Sequence, residues 1–319
     1  MTDSVVTGAA GFIGSQLVER LLDRGDRVVG VDSFDPFYPA RTKRRNLEAA
    51  LQNPRYRFVE ADLLRYKLER QFADGPVVYH LAAQAGVRGS WGSRFSRYAR
   101  NNLLATQAVL EASVRAHRPA RVVYASSSSV YGDQPPGASR EDALPNPVSP
   151  YGVTKLAAEH LGRTYEKSFG LPVTALRFFT VYGPRQRPDM AFNRFIDALR
   201  HGRSIEVYGR GRQLRDFTFV SDIVTGLVAA GEVRTPSPIY NLGGGAPVIL
   251  AEALRILSDV SGRPLRMRHL PLPPGDAKAT WADIRRARRE LGFRPRVRLR
   301  EGLAAQWTAQ TGLPTSESE

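Results

Sequence analysis

"SVVTGAAGFIGSQLVERLLDRG", residues 4–25, decides the fold. A short apolar run leads into a glycine-rich turn. Leu17, Leu21 and Leu22 then recur at helical spacing until Gly25 closes the helix. Gly8, Gly11 and Gly14 stand three residues apart between that strand and that helix. Gly8 permits the tight turn, Gly11 lets the backbone approach a pyrophosphate, and Gly14 lets the helix pack on the strand. The helix N-terminus offers free N–H groups and a positive dipole end to the anion. A glycine trio alone is a weak signal, but here the next strand, "RVVGVD", ends in Asp32, 18 residues past Gly14. A carboxylate at that point accepts hydrogen bonds from a ribose 2′-hydroxyl and repels a 2′-phosphate, which favours NAD over NADP.

Outward from this unit, strand and helix alternate to about residue 180. "YRFVEADL", "GPVVYHLAA", "RVVYASS" and "LPVTALRF" read as strands. "KRRNLEAALQ", the weaker "RYKLERQF", "RNNLLATQAVLEASVRAH" and "SPYGVTKLAAEHLGRTYEKSFG" read as helices. The last has Ser149 as N-cap, Pro150 at its first position and Gly170 at its stop. The pattern predicts an α/β fold, an open, doubly wound and mostly parallel sheet with helices on both faces. Past "VYGPRQRPDM" the regularity weakens, although "SDIVTGLVAAGEV", "LAEALRILSDVSG" and "DIRRARRELG" still read as helices and "FRPRVRLR" as strand-like. This half is expected to form a smaller α/β lobe over the sheet's carboxyl edge, with "PIYNLGG" returning to the sheet. The tail "TGLPTSESE" is expected to fray.

The totals bound the function. The 319 residues exceed one ordinary core, so one large or two closely packed domains are expected. There is no cysteine, the five histidines have no ligand spacing, and no metal site is expected. No apolar run approaches the roughly 20 residues of a membrane helix, and the N-terminus reads as strand, so no membrane association and a cytoplasmic location are expected. The net charge of +15 comes from 41 Arg and 5 Lys spread over the chain. That is a compositional bias, better suited to an anionic small molecule than to nucleic acid.

Two polar stretches carry chemistry: "YASSSSVYG", residues 124–132, and "SPYGVTK", residues 149–155. Tyr151 and Lys155 are four apart near a helix start and share a face. An ammonium beside a phenol stabilises its anion, a route to a base near neutral pH. Such a base suits removing a proton from an alcohol whose hydride leaves for a nicotinamide.

With "TGAAGFIG", "VDSFD", "HLAAQAGVR", "YASSSSVYG", "SPYGVTK", "LRFFTVYGPRQRPDM", "RQLRDFTFVSDI", "YNLGGG" and "PGD", the chain resembles the extended short-chain dehydrogenase/reductase superfamily over almost its whole length. Within it, "AGVR" and "RFFTVYGPRQRPDMA" most resemble the UDP-glucuronate 4-epimerases. The resemblance implies a Rossmann NAD-binding domain over 1–178, with a return segment near 212–241, and a mainly nucleotide-sugar-binding lobe over 179–319. It implies a catalytic set of Ser127 on the reacting hydroxyl, Tyr151 as acid/base, and Lys155 on the nicotinamide ribose lowering the tyrosine's pKa. NAD contacts are implied at Gly8, Gly11, Phe12, Ile13, Gly14, Asp32, Asp62, Leu63, Leu81, Ala82, Ala83, Asn102, Tyr151, Lys155 and Phe178. Substrate contacts are implied at Arg88, Ser127, Ser128, Ser129, Tyr151, Phe179, Thr180, Arg185, Val207, Tyr208, Arg215 and Asp276. Arg215 would hold the diphosphate and Asp276 the uridine ribose. Ser126 is expected only to satisfy backbone.

Family 4,6-dehydratases carry acids where Ser128 and Ser129 stand, and UDP-xylose-forming decarboxylases carry Glu at the Ser129 position. Hydroxyls there donate to an anion, so a uronate fits. The expected reaction is NAD-dependent C4 epimerisation of UDP-glucuronate to UDP-galacturonate through a 4-keto intermediate. The alternatives are a UDP-glucuronate decarboxylase, a neutral UDP-hexose 4-epimerase, and a non-catalytic NAD-binding scaffold or sensor. A homodimer through the helices that begin at Arg100 and Pro150 is also implied.

Overall fold

The computed structural model describes the chain except residues 1–2, 73–74, 117–119, 135–136, 234–236, 273–274, 276, 278 and 317–319. The opening stretch folds as β1 (Asp3–Thr7), a turn and α1 (Phe12–Asp23). There follow β2 (Arg27–Asp32), α2 (Ala40–Leu51), β3 (Tyr56–Glu60) and β4 (Val77–His80). A four-residue α3 (Phe95–Tyr98) runs through a π-helical turn, Ala99–Leu104, into α4 (Ala105–Val114). Then come β5 (Arg121–Ser127), α5 (Pro150–Phe169) and β6 (Val173–Phe178). The second half holds β7 (Val181–Tyr182), α6 (Ala191–Arg200), β8 (Ile205–Tyr208), β9 (Leu214–Asp216), β10 (Thr218–Phe219) and α7 (Val220–Glu232). It ends with β11 (Ile239–Leu242), β12 (Pro247–Ile249), α8 (Leu250–Ser261), β13 (Met267–Leu270), β14 (Ala279–Thr280), α9 (Arg285–Glu290) and α10 (Leu299–Thr311).

Seven strands form one parallel sheet in the order β11-β6-β5-β4-β1-β2-β3. Alternate residues face opposite sides. Val6, Tyr79 and Val123 pack with α1 and α7 through Leu17, Leu21, Ile223 and Leu227. Their neighbours Val5, Val78 and Val122 pack with α4 and α5 through Val109, Leu110 and Tyr165. Coverage on both faces explains the near-continuous apolar strands. The strand order reverses between β1 and β4, and a cleft opens there beyond the carboxyl ends. A second core joins α6, β8, α8 and α10 around Phe192, Ile196, Val207, Leu254, Leu257 and Trp307. β11 returns to the main sheet beside β6, as its sequence suggests.

Four local expectations need correction. "RYKLERQF" yields only a 3-10 turn, Leu68–Gln71. "FRPRVRLR" forms no strand; its Arg296 and Val297 N–H groups instead donate to Asp222 Oδ2 at 3.1 and 3.2 Å, next to the prolyl ring that spoils a ladder. α6 and α10 are additional helices. The tail is anchored to Ser316: Ser316 N–H donates to Val260 O at 3.0 Å and Trp307 Nε1 to Pro314 O at 3.1 Å. Among the described residues no helix is long and apolar enough to cross a membrane.

Candidate active site

The floor of the cleft is the turn between β1 and α1. Gly8 has φ +71°, and a Cβ there would stand 2.7 Å from Ala82 N. A Cβ on Gly14 would run into the Gly8 carbonyl oxygen. The chain therefore closes only with glycine at these points, leaving the first N–H groups of α1 open to the cleft. Asp32 stands at the end of β2, its Oδ1 taking Phe34 N–H at 2.8 Å and its Oδ2 Ala10 N–H at 3.2 Å. Burial raises its pKa, against the pull of Lys43 and of those two N–H groups. The cleft encloses about 780 Å³. Gly8, Gly11, Phe12, Ile13, Gly14, Asp32, Asp62, Leu63, Leu81, Ala82, Ala83 and Phe178 line its floor, an anion cradle beside a ribose-sized acceptor. A dinucleotide fits this chemistry.

Asn102 stands behind the wall. In the π-helical turn its Oδ1 accepts Gln84 N–H at 2.7 Å, and its Nδ2 donates to Gln84 O at 3.0 Å and Thr154 Oγ1 at 2.9 Å. It fixes the loop after β4 and α5 rather than facing the cavity.

At the carboxyl end of β5 stand Ser127, Ser128 and Ser129. Ser149 caps α5 by accepting Gly152 N–H at 3.1 Å, and Gly170 ends the helix at φ +66°. The capped first turn delivers Tyr151 beside Ser127, whose hydroxyl donates to Ser129 Oγ at 3.1 Å. Burial pushes the Tyr151 pKa above its ordinary value; Ser127 and the Arg187 guanidinium pull it back, while Tyr98 opposes them. Tyr98 meets the Tyr151 ring edge-on at 6.2 Å. Lys155 Nζ donates to Ala125 O at 2.7 Å and sits 4.8 Å over the Tyr124 ring. Burial brings its pKa down to about 7, with Glu159 opposing. Burial is thus the largest influence on Tyr151, and Arg187 is a cation that works against it.

The roof comes from the second half. Phe179, Thr180, Arg187, Asp189, Arg194, Glu206, Val207, Tyr208 and Arg215 all line it. Arg88 reaches across from the loop after β4 and stacks 3.9 Å over the Tyr208 ring. Arg215 donates to Leu214 O and Ala277 O, both at 2.8 Å. Asp276 lies outside the described residues. Arg185 is not brought to the cleft. Its backbone takes φ +65°, and its guanidinium goes to Ser15 Oγ at 3.2 Å and Glu19 at 2.7 Å on α1. Arg187, two residues on, faces the cleft instead, bidentate on Asp189 at 2.9 and 2.8 Å. Sequence reading missed Arg187, as well as Tyr38, Lys43 and Tyr98 on the cleft wall. Ser126 departs from its expected role, since its hydroxyl donates to the Glu159 carboxylate. Among the described residues no group of three or more His, Asp or Glu could hold a metal ion.

A buried phenol beside a serine, an ammonium one helical turn on and hydroxyls along the strand end suit proton exchange with a sugar alcohol. A family model described as NAD dependent epimerase/dehydratase matches residues 4–243. The chain is 42% identical over 301 residues to the uncharacterised UDP-glucose epimerase YtcB of Bacillus subtilis (strain 168), across 94% of this chain and 95% of that one. It is 35% identical over 303 residues to a UDP-glucuronate 4-epimerase of Thermodesulfobacterium geofontis, across 94% and 93%. Its fold superposes with a TM-score of 0.93, at 42% identity, on the UDP-glucuronic acid 4-epimerase of Bacillus cereus solved with UDP-glucuronic acid and NAD, covering 98% of this chain and 99% of that one. The glycine turn, the Ser–Tyr–Lys arrangement and the roof thus agree with matches along nearly the full length, and the chain belongs to the NAD dependent epimerase/dehydratase family.

Proposed function

We propose that this chain catalyses NAD-dependent C4 epimerisation of UDP-glucuronate to UDP-galacturonate. The supporting observation is the company Tyr151 keeps. Around it the cleft gathers Ser128, Ser129, Thr180 and the Arg187 guanidinium, and the nearby Asp189 is already paired with Arg187. That set donates to a carboxylate. NAD held on the glycine turn by Asp32 and Lys155 would take up and give back the C4 hydride. Tyr151 takes the C4 hydroxyl proton and returns it, while Ser127 orients that hydroxyl. Arg88 and Arg215 would hold the diphosphate, and Val207 and Tyr208 the uridine. The 4-keto sugar carries its ketone beside a carboxylate-bearing carbon, and a β-keto acid loses CO₂ when the scissile bond stands perpendicular to the carbonyl plane. Arg187, Ser128, Ser129 and Thr180 would keep the carboxylate out of that orientation.

Incubating the purified protein with UDP-glucuronate and no added NAD, with products resolved by NMR, tests this reading. UDP-galacturonate is expected, and its absence overturns it. Ser128→Ala or Thr180→Ala should leak UDP-4-keto-pentose. The name of the Bacillus subtilis relative raises a neutral-sugar reading. A kcat/KM for UDP-glucose above that for UDP-glucuronate would favour it.

The compartment proposed is the cytoplasm, where a chain without cysteine needs no oxidising environment. The proposed assembly is a homodimer through α4 and α5. Leu104, ending the turn that leads into α4, and Val153 on α5, 50% and 48% exposed, leave apolar surface there. A monomer in light scattering at micromolar concentration would rule the dimer out.

A further inference from the structure

Glu159 takes part in no step described above. It stands on α5 one turn past Lys155 and two past Tyr151, so the three share a helix face. Three successive residues of β5 stand against them. Ser127 lies beside Tyr151, Ala125 O takes the Lys155 ammonium at 2.7 Å, and the Ser126 hydroxyl donates to the Glu159 carboxylate. Glu159 is 5% exposed. Its two oxygens also take Arg177 Nε at 2.9 Å and Nη2 at 2.7 Å from β6.

Arg177 is as buried as its partner. Its guanidinium lies 4.6 Å over the Tyr131 ring, and its Nη1 has no hydrogen-bond partner. An ion pair this deep repays its desolvation poorly, and an apolar pair of similar volume would serve the fold as well. Its placement behind the Tyr–Lys pair points to a task in the site.

We propose that Glu159 is a positioning residue. It locks the end of β5 to α5 through Ser126, and its carboxylate is the counter-charge that keeps the buried Lys155 an ammonium. This rests on the reading that Tyr151 and Lys155 carry the reaction. The groups facing Lys155 are few. Tyr151 and Glu159 share its helix, Tyr124 and Ala125 lie on β5, and His80 on β4 bridges Thr7 and Thr106 at 2.7 and 3.0 Å. Burial holds His80 down at about 3, so it is neutral. Arg177 is bound to Glu159. Glu159 is thus the carboxylate that opposes the loss of the Lys155 proton.

The sign follows. Lys155 is already pulled down by burial, and removing the negative charge pulls it further. The ammonium is then lost at lower pH as pH rises, so the alkaline limb of kcat moves down. The test compares kcat and KM for UDP-glucuronate from about pH 6 to 9 in wild type, Glu159→Gln, Glu159→Gln/Arg177→Met and Glu159→Asp. The double variant removes the cation that the single one strands. We expect the alkaline limb to fall by about one pH unit in both neutral variants. At pH 8 kcat should drop on the order of ten-fold, with KM within about two-fold. Glu159→Asp, which keeps the charge, should hold the limb near its wild-type position. A limb that does not move in a neutral variant folded like wild type by circular dichroism overturns the inference. So does a double variant restored to the wild-type profile. If both neutral variants fail to fold, Glu159 serves the fold alone and the inference is likewise overturned. A wild-type protein that leaves UDP-glucuronate unchanged overturns the functional reading first, and this inference with it.

Discussion

The floor and the roof of the cleft are built of different materials. The centre of the floor is backbone: the glycines of the turn between β1 and α1 and the N–H groups at the start of α1, placed by φ angles within a few residues of each other. The roof is side chain: Arg187, Asp189, Arg194, Glu206, Tyr208 and Arg215, gathered from separate segments. A floor of this kind recognises a ligand by close approach and tolerates almost no substitution. The roof recognises by charge, so each member's contribution depends on which partner its long side chain finds.

The sharpest test of the comparison lies where the two meet. Tyr151→Phe removes the proton acceptor and leaves both surfaces in place. We expect kcat to fall roughly 100- to 10,000-fold while nicotinamide released on denaturation stays at the wild-type amount. Activity within a few-fold of wild type would mean another group is the base.

Next comes the floor. Gly8→Ala forces a side chain into a left-handed backbone and against Ala82 N. Strain of about 1–3 kcal/mol should weaken NAD binding roughly 5- to 150-fold, measured by cofactor titration of the stripped protein. Unchanged affinity would show that the floor yields as readily as the roof.

For the roof, Arg187→Met should cost roughly 10- to 100-fold in kcat/KM for UDP-glucuronate and much less for UDP-glucose, the worth of a hydrogen bond to a charged group. Equal losses on both sugars would move the carboxylate contact to Arg88. Arg185→Met is the smallest effect. Its ion pair with Glu19 is about one-third exposed on each side. Losing it should shift stability by about 0.2–1 kcal/mol in urea melts and leave kcat/KM within roughly two-fold.

The same contrast explains what was legible in the sequence. Gly8, Ser149, Pro150 and Gly170 could be read because each answers a local backbone demand that a handful of neighbours defines. The inner strands could be read because burial on both faces leaves nearly unbroken apolar runs, while β3 at the edge is half-exposed. α6 carries Phe192, Phe195, Ile196 and Leu199 at helical spacing, but it follows a Pro- and Gly-punctuated loop that hides its start. α10 is less marked still, with Gly302 and two threonines diluting its apolar stripe. Choosing between Arg185 and Arg187 was beyond the sequence. They stand two apart in one loop, and the choice rests on a positive φ and an ion pair formed 166 residues away in sequence. Ser126 was misread for a similar reason: its partner Glu159 lies on the next helix.

The position of β11 bears on how the chain is made. It is an edge strand of the main sheet, yet it is synthesised after the first elements of the roof. Until residue 242 has left the ribosome, β6 is the sheet's rim, with an open row of amide and carbonyl groups flanked by buried-type side chains such as Leu176. At ordinary elongation rates that interval lasts on the order of ten seconds. The nascent chain is therefore most exposed to pairing with another copy at this stage. A truncated product ending anywhere between β6 and β11 keeps that rim for good.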